Sequence, residues 1–294
     1  MVFGLSRKKQ IDEYEAEGEV ERIYHEIRQT FRVSGINLIF RTWARYDKFF
    51  LVLWNSIRPN AGTRLFEDAA DSVRAQAVLR AGRLDRLRVP ANVSLGESQA
   101  YQLKAALDLY HYINPKLLVM ASAVRLSLTG GRVRETIEGA KFLEMIERGV
   151  PEKMYPMEMI SEDPKEERIN ELFADIRQVL NLPSINSDYR TLALWPDYLI
   201  EAWKRLRPMI GRQDYVEAAE EVRQVARDSA GRLPYPVISR EQLEELGEDA
   251  GEITQITEKF EDILAPLIIN IALFQLDWHD RRQLVLSPFP AAAR

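Results

Sequence analysis

Residues 27–77 of this chain match residues 176–226 without a gap, at a constant offset of 149, and that duplication limits what the chain can fold into. Seventeen of the 51 pairs are identical, among them Ile36/Ile185, Asn37/Asn186, Arg41/Arg190, Trp54/Trp203, Arg58/Arg207, Pro59/Pro208 and Arg74/Arg223. Chance matching at ordinary composition gives about three or four. A solenoid repeats every 20–50 residues or so, and this period is far longer, which makes it a duplicated domain. Residues common to both copies are expected to build the scaffold. Positions polar in one copy and apolar in its twin are where chemistry is expected.

Helical periodicity runs through nearly every long segment, and no period-two alternation persists. Over 20–31, Val20, Ile23, Tyr24, Ile27 and Phe31 form one stripe, and 169–180 repeats it with Ile169, Leu172, Phe173, Ile176 and Leu180. Residues 40–57 and 189–206 form a second pair, which Pro59 and Pro208 are expected to stop. Residues 64–81 and 213–230 form a third, and 97–113 and 252–264 a fourth, each of the last pair followed by an apolar stretch at 117–126 or 267–274. In this region the offset becomes 151, so that Ile113-Asn114-Pro115 stands opposite Leu264-Ala265-Pro266. A stretch rich in proline and charge, from Pro151 to Pro164, reads as a surface linker. The expected fold is all-α: a first helical repeat over 1–148, a linker over 149–168 and a second repeat over 169–294, closing as an intramolecular pseudo-dimer. A small-molecule site is expected between the halves.

Composition narrows the chemistry. The 294 residues include no cysteine, which removes disulfides, thiol catalysis and cysteine-held metal centres. The three histidines, His25, His111 and His279, have unrelated spacings, which gives a His-rich metal site little support. A net charge of −5 supplies no basic field for nucleic acid. The N-terminal MVFGLSRKKQ places its charges after a very short apolar stretch, the reverse of a signal peptide. With no run of 18 apolar residues, neither export nor a membrane span is expected, and the expected location is the cytoplasm.

Three places break the symmetry of the copies. Asp188, in Asn186-Ser187-Asp188-Tyr189-Arg190, stands where the first copy has Ile39, in Asn37-Leu38-Ile39-Phe40-Arg41. A carboxylate at a position that is apolar in its twin would have raised basicity, which suits a general base. The same residues also read as a helix N-cap followed by a first-turn acid. Asn114 is opposite Ala265; it reads either as a cap ahead of Pro115 or as an amide that fixes a water beside a base. Thr63 and Glu67, four apart on one helix face, are opposite Arg212 and Val216 and read as capping or as support for a site. Arg41/Arg190 and Arg58/Arg207 read as scaffold ion pairs. Asn37/Asn186 reads as a pair of caps, and His111, Phe40, Trp43 and Tyr112 as core or rim.

Asn186-Ser187-Asp188-Tyr189-Arg190, with Ile113-Asn114-Pro115-Lys116 upstream and Arg58-Pro59 followed by Thr63-x-x-x-Glu67, resembles the group I, D,L-type 2-haloacid dehalogenases, a family unrelated to the HAD superfamily. The resemblance covers essentially the full chain. It implies an all-helical pseudo-dimer that assembles as a homodimer, works without cofactor or metal, and acts on a small 2-halocarboxylate and water. Residue by residue, it implies that Asp188 is the essential base, Asn114 positions the water, and Thr63 and Glu67 support activity. Asn186, Ser187 and Tyr189 would meet the substrate, its carboxylate taking backbone N–H groups around Ser187–Tyr189. Ile39, Phe40, Trp43 and Tyr112 would form the apolar pocket. Asn186, two before the aspartate, points to D-2-haloacids. A competing reading is a non-enzymatic helical dimer that binds a small carboxylic acid or a partner protein, in which Asp188 and Asn114 are caps.

Overall fold

The computed structural model describes residues 10–131 and 144–293; the N-terminal stretch read above lies almost wholly outside them. Among the described residues every named element is helical. The first set is α1 (Gly18–Phe31), α2 (Leu38–Trp43), α3 (Asp47–Ala61), α4 (Arg64–Ala81) and α5 (Glu97–Leu128). The second is α6 (Glu167–Val179), α7 (Ser187–Leu192), α8 (Pro196–Leu206), α9 (Gln213–Ala230), α10 (Arg240–Glu245), α11 (Ala250–Leu276) and α12 (Arg281–Leu284). Helices α7, α8 and α9 begin 149 residues after α2, α3 and α4, the offset of the internal match.

The correspondence extends to backbone and side chains. Arg32 and its twin Asn181 both take the left-handed conformation just beyond α1 and α6. The Trp54 indole donates to Glu26 at 2.7 Å and Arg58 to the same oxygen at 3.0 Å. At the twin positions, the Trp203 indole donates to Asp175 at 2.7 Å and Arg207 at 2.8 Å. Arg58 and Arg207 are therefore scaffold ion pairs. The other arginine pair diverges: Arg41 meets Asp12 at 3.2 Å, whereas Arg190 donates to the Ile160 carbonyl at 2.8 Å.

Helices α4, α5, α9 and α11 pack on one another at the centre. Long stretches of α5 and α11 are apolar all round, as a fully enclosed helix must be; Leu117 to Val124 and Leu267 to Leu276 are buried throughout. Two boundaries differ from the sequence expectation. The segments 40–57 and 189–206 are each broken, because Tyr46 and Trp195 take non-helical backbone before Asp47 and Pro196 restart the helix. The expected stops at 113 and 264 are absent: α5 runs through Pro115 and α11 through Pro266, and Pro59 lies within the last turn of α3.

A proline inside a helix removes one N–H and strands the carbonyl four residues back, at a cost of about 3 kcal/mol. In α5 that carbonyl is His111's. The wholly buried Arg74 donates to it through Nε at 3.0 Å and to the Tyr112 carbonyl through Nη2 at 3.2 Å. The twin Arg223 reaches side chains instead, pairing with Glu220 at 2.5 Å and Asp262 at 3.4 Å. Residues 150–166, between the two sets of helices, form no α-helix but are tied down: Ser34 donates to the Tyr155 carbonyl at 2.7 Å and Thr191 to that of Glu158 at 2.6 Å.

An orphaned buried carbonyl costs about 1–3 kcal/mol, while a half-exposed ion pair contributes about 0–1 kcal/mol. Arg74→Met is therefore expected to lower the unfolding free energy by about 2–4 kcal/mol, and Arg223→Met by less than about 1 kcal/mol. Urea denaturation of the two variants compares them directly. Equal losses would contradict the role given to Arg74.

Candidate active site

The N-termini of α2 and α7 bring the same three positions of each copy to one small cavity. Asn37, Leu38 and Ile39 line it from one side and Asn186, Ser187 and Asp188 from the other. Helix α5 contributes Asn114 and Leu117, and α11 contributes Phe260, Ile263, Leu264 and Leu267. The cavity holds about 20 Å³, close to the ~10–15 Å³ that a single water molecule needs.

Asp188 is 3 % exposed and Asn114 1 %. Asn114 Nδ2 donates to Asp188 Oδ1 at 2.7 Å. Neither is a cap. Asn114 lies well inside α5, and Asp188 sits in the first turn of α7 behind the N-cap Asn186. Burial among Ile39, Leu117, Leu264 and Leu267 pushes the Asp188 carboxyl up to about 7; the amide of Asn114 and the Asp188 backbone N–H work in the opposite direction and hold it from rising further. The result is a carboxylate basic enough to take a proton near neutral pH, with an oriented amide beside it.

The side-chain amides of Asn37 and Asn186 make no capping bond, although each sits at the N-cap of its helix. Ser187 Oγ accepts a long hydrogen bond from Arg41 at 3.5 Å. Two further cavities adjoin. One of about 40 Å³ shares Asn186, Ile263 and Leu267, and also includes Tyr189, whose hydroxyl accepts from Asn270 at 3.0 Å. A groove of about 570 Å³ shares Leu38, Phe260 and Ile263, which stand between it and the carboxylate.

Six of the residues singled out in sequence lie elsewhere. Thr63 caps α4, accepting from the Phe66 N–H at 3.2 Å, and does not line the cavity. Glu67 is paired with the fully buried Lys116, whose ammonium also donates to Tyr112 Oη at 2.5 Å and to the Phe31 carbonyl at 3.1 Å. Tyr112 belongs to that cluster rather than to the pocket, because two residues along a helix from Asn114 turns its side chain to nearly the opposite face. Phe40 and Trp43 are core: Phe40 packs edge-on against Phe31 and Trp43, and Trp43 against Phe49. The His111 ring donates through Nε2 to the Leu284 carbonyl, 2.8 Å away, and burial depresses it to about 3, which keeps it neutral. Conversely, Asn37, Leu38 and the α11 side chains were missed. Comparison of the copies could have found the first two, since they precede Ile39 as Asn186 and Ser187 precede Asp188.

A family model described as halocarboxylic acid dehydrogenase DehI matches residues 34–189, a span that contains Asn114 and ends one residue after Asp188. An (R)-2-haloacid dehalogenase of Pseudomonas putida is 29 % identical over 276 residues, covering 90 % of this chain and 91 % of that one. A configuration-inverting 2-haloacid dehalogenase of Pseudomonas sp. (strain 113) is also 29 % identical, over 76 % of this chain and 75 % of its own. Among solved structures, a D-2-haloacid dehalogenase in complex with L-LA superposes with a TM-score of 0.85 at 27 % identity, covering 91 % of this chain and 95 % of that one.

The elevated Asp188 carboxyl has a consequence for stability. In the unfolded chain it ionises near pH 4, and in the folded protein only near 7. The folded state therefore holds the proton more tightly between those values, and the stability this gives is full below about pH 4 and lost as pH rises through 7. Asp188→Asn removes the cost of ionisation. It is expected to raise the melting temperature at pH 8 and to leave it nearly unchanged at pH 4, where the unfolded chain also keeps most of the proton. Calorimetry at the two pH values reads the difference, and an equal shift at both would contradict the buried carboxyl.

Proposed function

The chain belongs to the family described as halocarboxylic acid dehydrogenase DehI, and from that membership we propose that it is a hydrolytic 2-haloacid dehalogenase. It converts 2-haloalkanoic acids to 2-hydroxyalkanoic acids with inversion at C2. The single observation that carries the reading is the buried hydrogen bond from Asn114 to an elevated Asp188 carboxyl, in a cavity of one-water size. The curated relatives' names, haloacid dehalogenases of inverting or (R) type, supply the reaction class.

In the proposed mechanism Asp188 is ionised and Asn114 Nδ2 occupies Oδ1, leaving Asp188 Oδ2 and Asn114 Oδ1 to hold one water by its two protons. Its lone pair then points away from both, toward C2 of the acid. Asp188 takes a proton as the water oxygen attacks C2 from the face opposite the halogen. The carbon–halogen bond breaks, halide leaves with the bonding electrons, and the proton later passes from Asp188 to solvent. No ester to Asp188 forms. Holding the water in line, about 3–3.5 Å from carbon, supplies much of the acceleration. Ile39, Leu117, Leu264 and Leu267 form the dry wall that keeps Asp188 basic.

The finer points of the proposal rest on the internal repeat and the resemblance. Two tandem repeats, 1–148 and 169–294 joined by 149–168, close as an intramolecular pseudo-dimer with one site between them; the enzyme assembles as a homodimer in the cytoplasm, with neither cofactor nor metal. Thr63 and Glu67 support activity indirectly, by fixing α4 and, through Lys116, the stretch of α5 that carries Asn114. Asn186 favours the D enantiomer. Among the described residues no helix is long and apolar enough to cross a membrane.

Halide release from each enantiomer of 2-chloropropionate tests the assignment. Release from the D form, fastest in wild type and reduced about 100-fold or more in Asp188→Asn and Asn114→Ala, is expected. No halide from either enantiomer with folded protein would sink it. Because the base must be ionised, kcat/KM is expected to fall tenfold per pH unit below about 7. Single turnover in 18O-labelled water separates the mechanisms: label belongs in the hydroxy acid, and its appearance in Asp188 would contradict direct attack.

A further inference from the structure

We propose that Asn37, the twin of Asn186, binds the substrate's carboxylate, so that one side-chain amide from each copy grips the acid across the cavity. This rests on the dehalogenase reading and names a residue that the reading does not require.

Asn37 is 4 % exposed and Asn186 8 %. Both line the cavity that contains Asp188 and Asn114. Each occupies an N-cap, where an asparagine ordinarily bonds to its own helix, yet neither does so. Among the described residues the amide oxygen of each lacks any hydrogen-bond partner. A buried amide oxygen left unpaired costs about 1–3 kcal/mol, and here two residues at matching positions of the copies carry one at the same cavity.

The remaining cavity groups are already engaged or apolar. Asp188 and Asn114 bond each other, and Ser187 accepts from Arg41. Leu38, Ile39, Leu117, Phe260, Ile263, Leu264 and Leu267 offer no polar atom. Beyond the Asp188–Asn114 pair that holds the water and the first-turn backbone N–H groups, the side-chain polar capacity of the site is therefore two carboxamides. Each can turn by 180° to present NH₂ or C=O, and two NH₂ groups match the two oxygens of a carboxylate. No arginine or lysine lines the cavity, which fits the chemistry at Asp188. A cation within reach of the acid would also stabilise ionised Asp188 and make it a weaker base, whereas neutral amides bind an anion without doing so.

Identity across the copies points the same way. Of the three paired cavity positions, Leu38/Ser187 and Ile39/Asp188 differ, and only Asn37/Asn186 is shared. The differing pairs distinguish the hydrolytic side of the cavity from the apolar side, while a carboxylate lying between the sides takes a donor from each.

The test is steady-state kinetics with D-2-chloropropionate, with competitive inhibition by L-lactate, in wild type, Asn37→Ala and the isosteric Asn37→Asp. Asn37→Ala is expected to raise KM and the inhibition constant of lactate together, by tenfold or more, with kcat changed by less than about threefold. Asn37→Asp is expected to lose affinity as pH rises and the new carboxylate ionises against the ligand's, a pH dependence that a merely structural role would not give. Folding of both variants is checked by circular dichroism and melting temperature; if Asn37→Ala does not fold, the pH dependence of Asn37→Asp decides. Both constants unchanged within twofold in Asn37→Ala, or an Asn37→Asp affinity flat with pH, would overturn the amide clamp. Wild type that releases no halide overturns the dehalogenase reading itself, which separates the two failures.

Discussion

A side-chain amide on α5 donates at 2.7 Å to a carboxylate at the start of α7, 74 residues later in the chain, and the site depends on that contact being dry. In water such a hydrogen bond would contribute about 1 kcal/mol and would leave the aspartate a weak base. Enclosed by leucine and isoleucine from both sets of helices, the carboxyl instead rises to about 7. Burial would carry an unassisted carboxyl further, toward being permanently protonated. The amide restrains that rise and fixes which oxygen remains for water. Basicity and orientation thus come from one pair of side chains, and the core must be built so that they meet.

The long central helices do that building. Asn114 reaches Asp188 from the interior of α5, immediately before a proline that ought to end the helix. The helix continues because its neighbours supply what the proline removes: Arg74 on α4 binds the carbonyls of His111 and Tyr112. One turn later Lys116 is locked to Glu67 on the same helix α4 and to the Phe31 carbonyl. Asn114 is therefore flanked by two charged anchors from α4. In the second copy, Arg223 and Val216 stand where Arg74 and Glu67 do, and Ala265 stands opposite Asn114.

That asymmetry was legible in the residues. Asp188 against Ile39 and Asn114 against Ala265 are departures from a duplicated pattern, and both residues line the cavity. Glu67 against Val216 and Thr63 against Arg212 are departures of the same kind, but they lie in the supporting cluster and at the α4 cap. Comparison of twins finds where selection differed between the copies; it does not separate a residue at the reacting atoms from one that holds the frame. Phe40, Trp43 and Tyr112 show the complementary limit: aromatic residues near a site in sequence belong to the core when helical rotation turns them away.

The sequence by itself determined the helical class, the matched pattern of helices and the positions at which the copies differ, because periodicity and duplication are written in local order. Tertiary structure decided the rest. It joined the segments on either side of Pro115 and Pro266 into single helices; at Pro115 the carbonyl that proline frees is covered by the distant side chain of Arg74, a partner that no local pattern announces. It selected Leu38, Phe260 and Leu267 as cavity wall from many equivalent apolar residues, because the two short helices and α11 converge at one place. It also left the amide oxygens of Asn37 and Asn186 without hydrogen-bond partners at one cavity, since a hydrogen bond that is not made has no signature in the chain, only in the packing that withholds it.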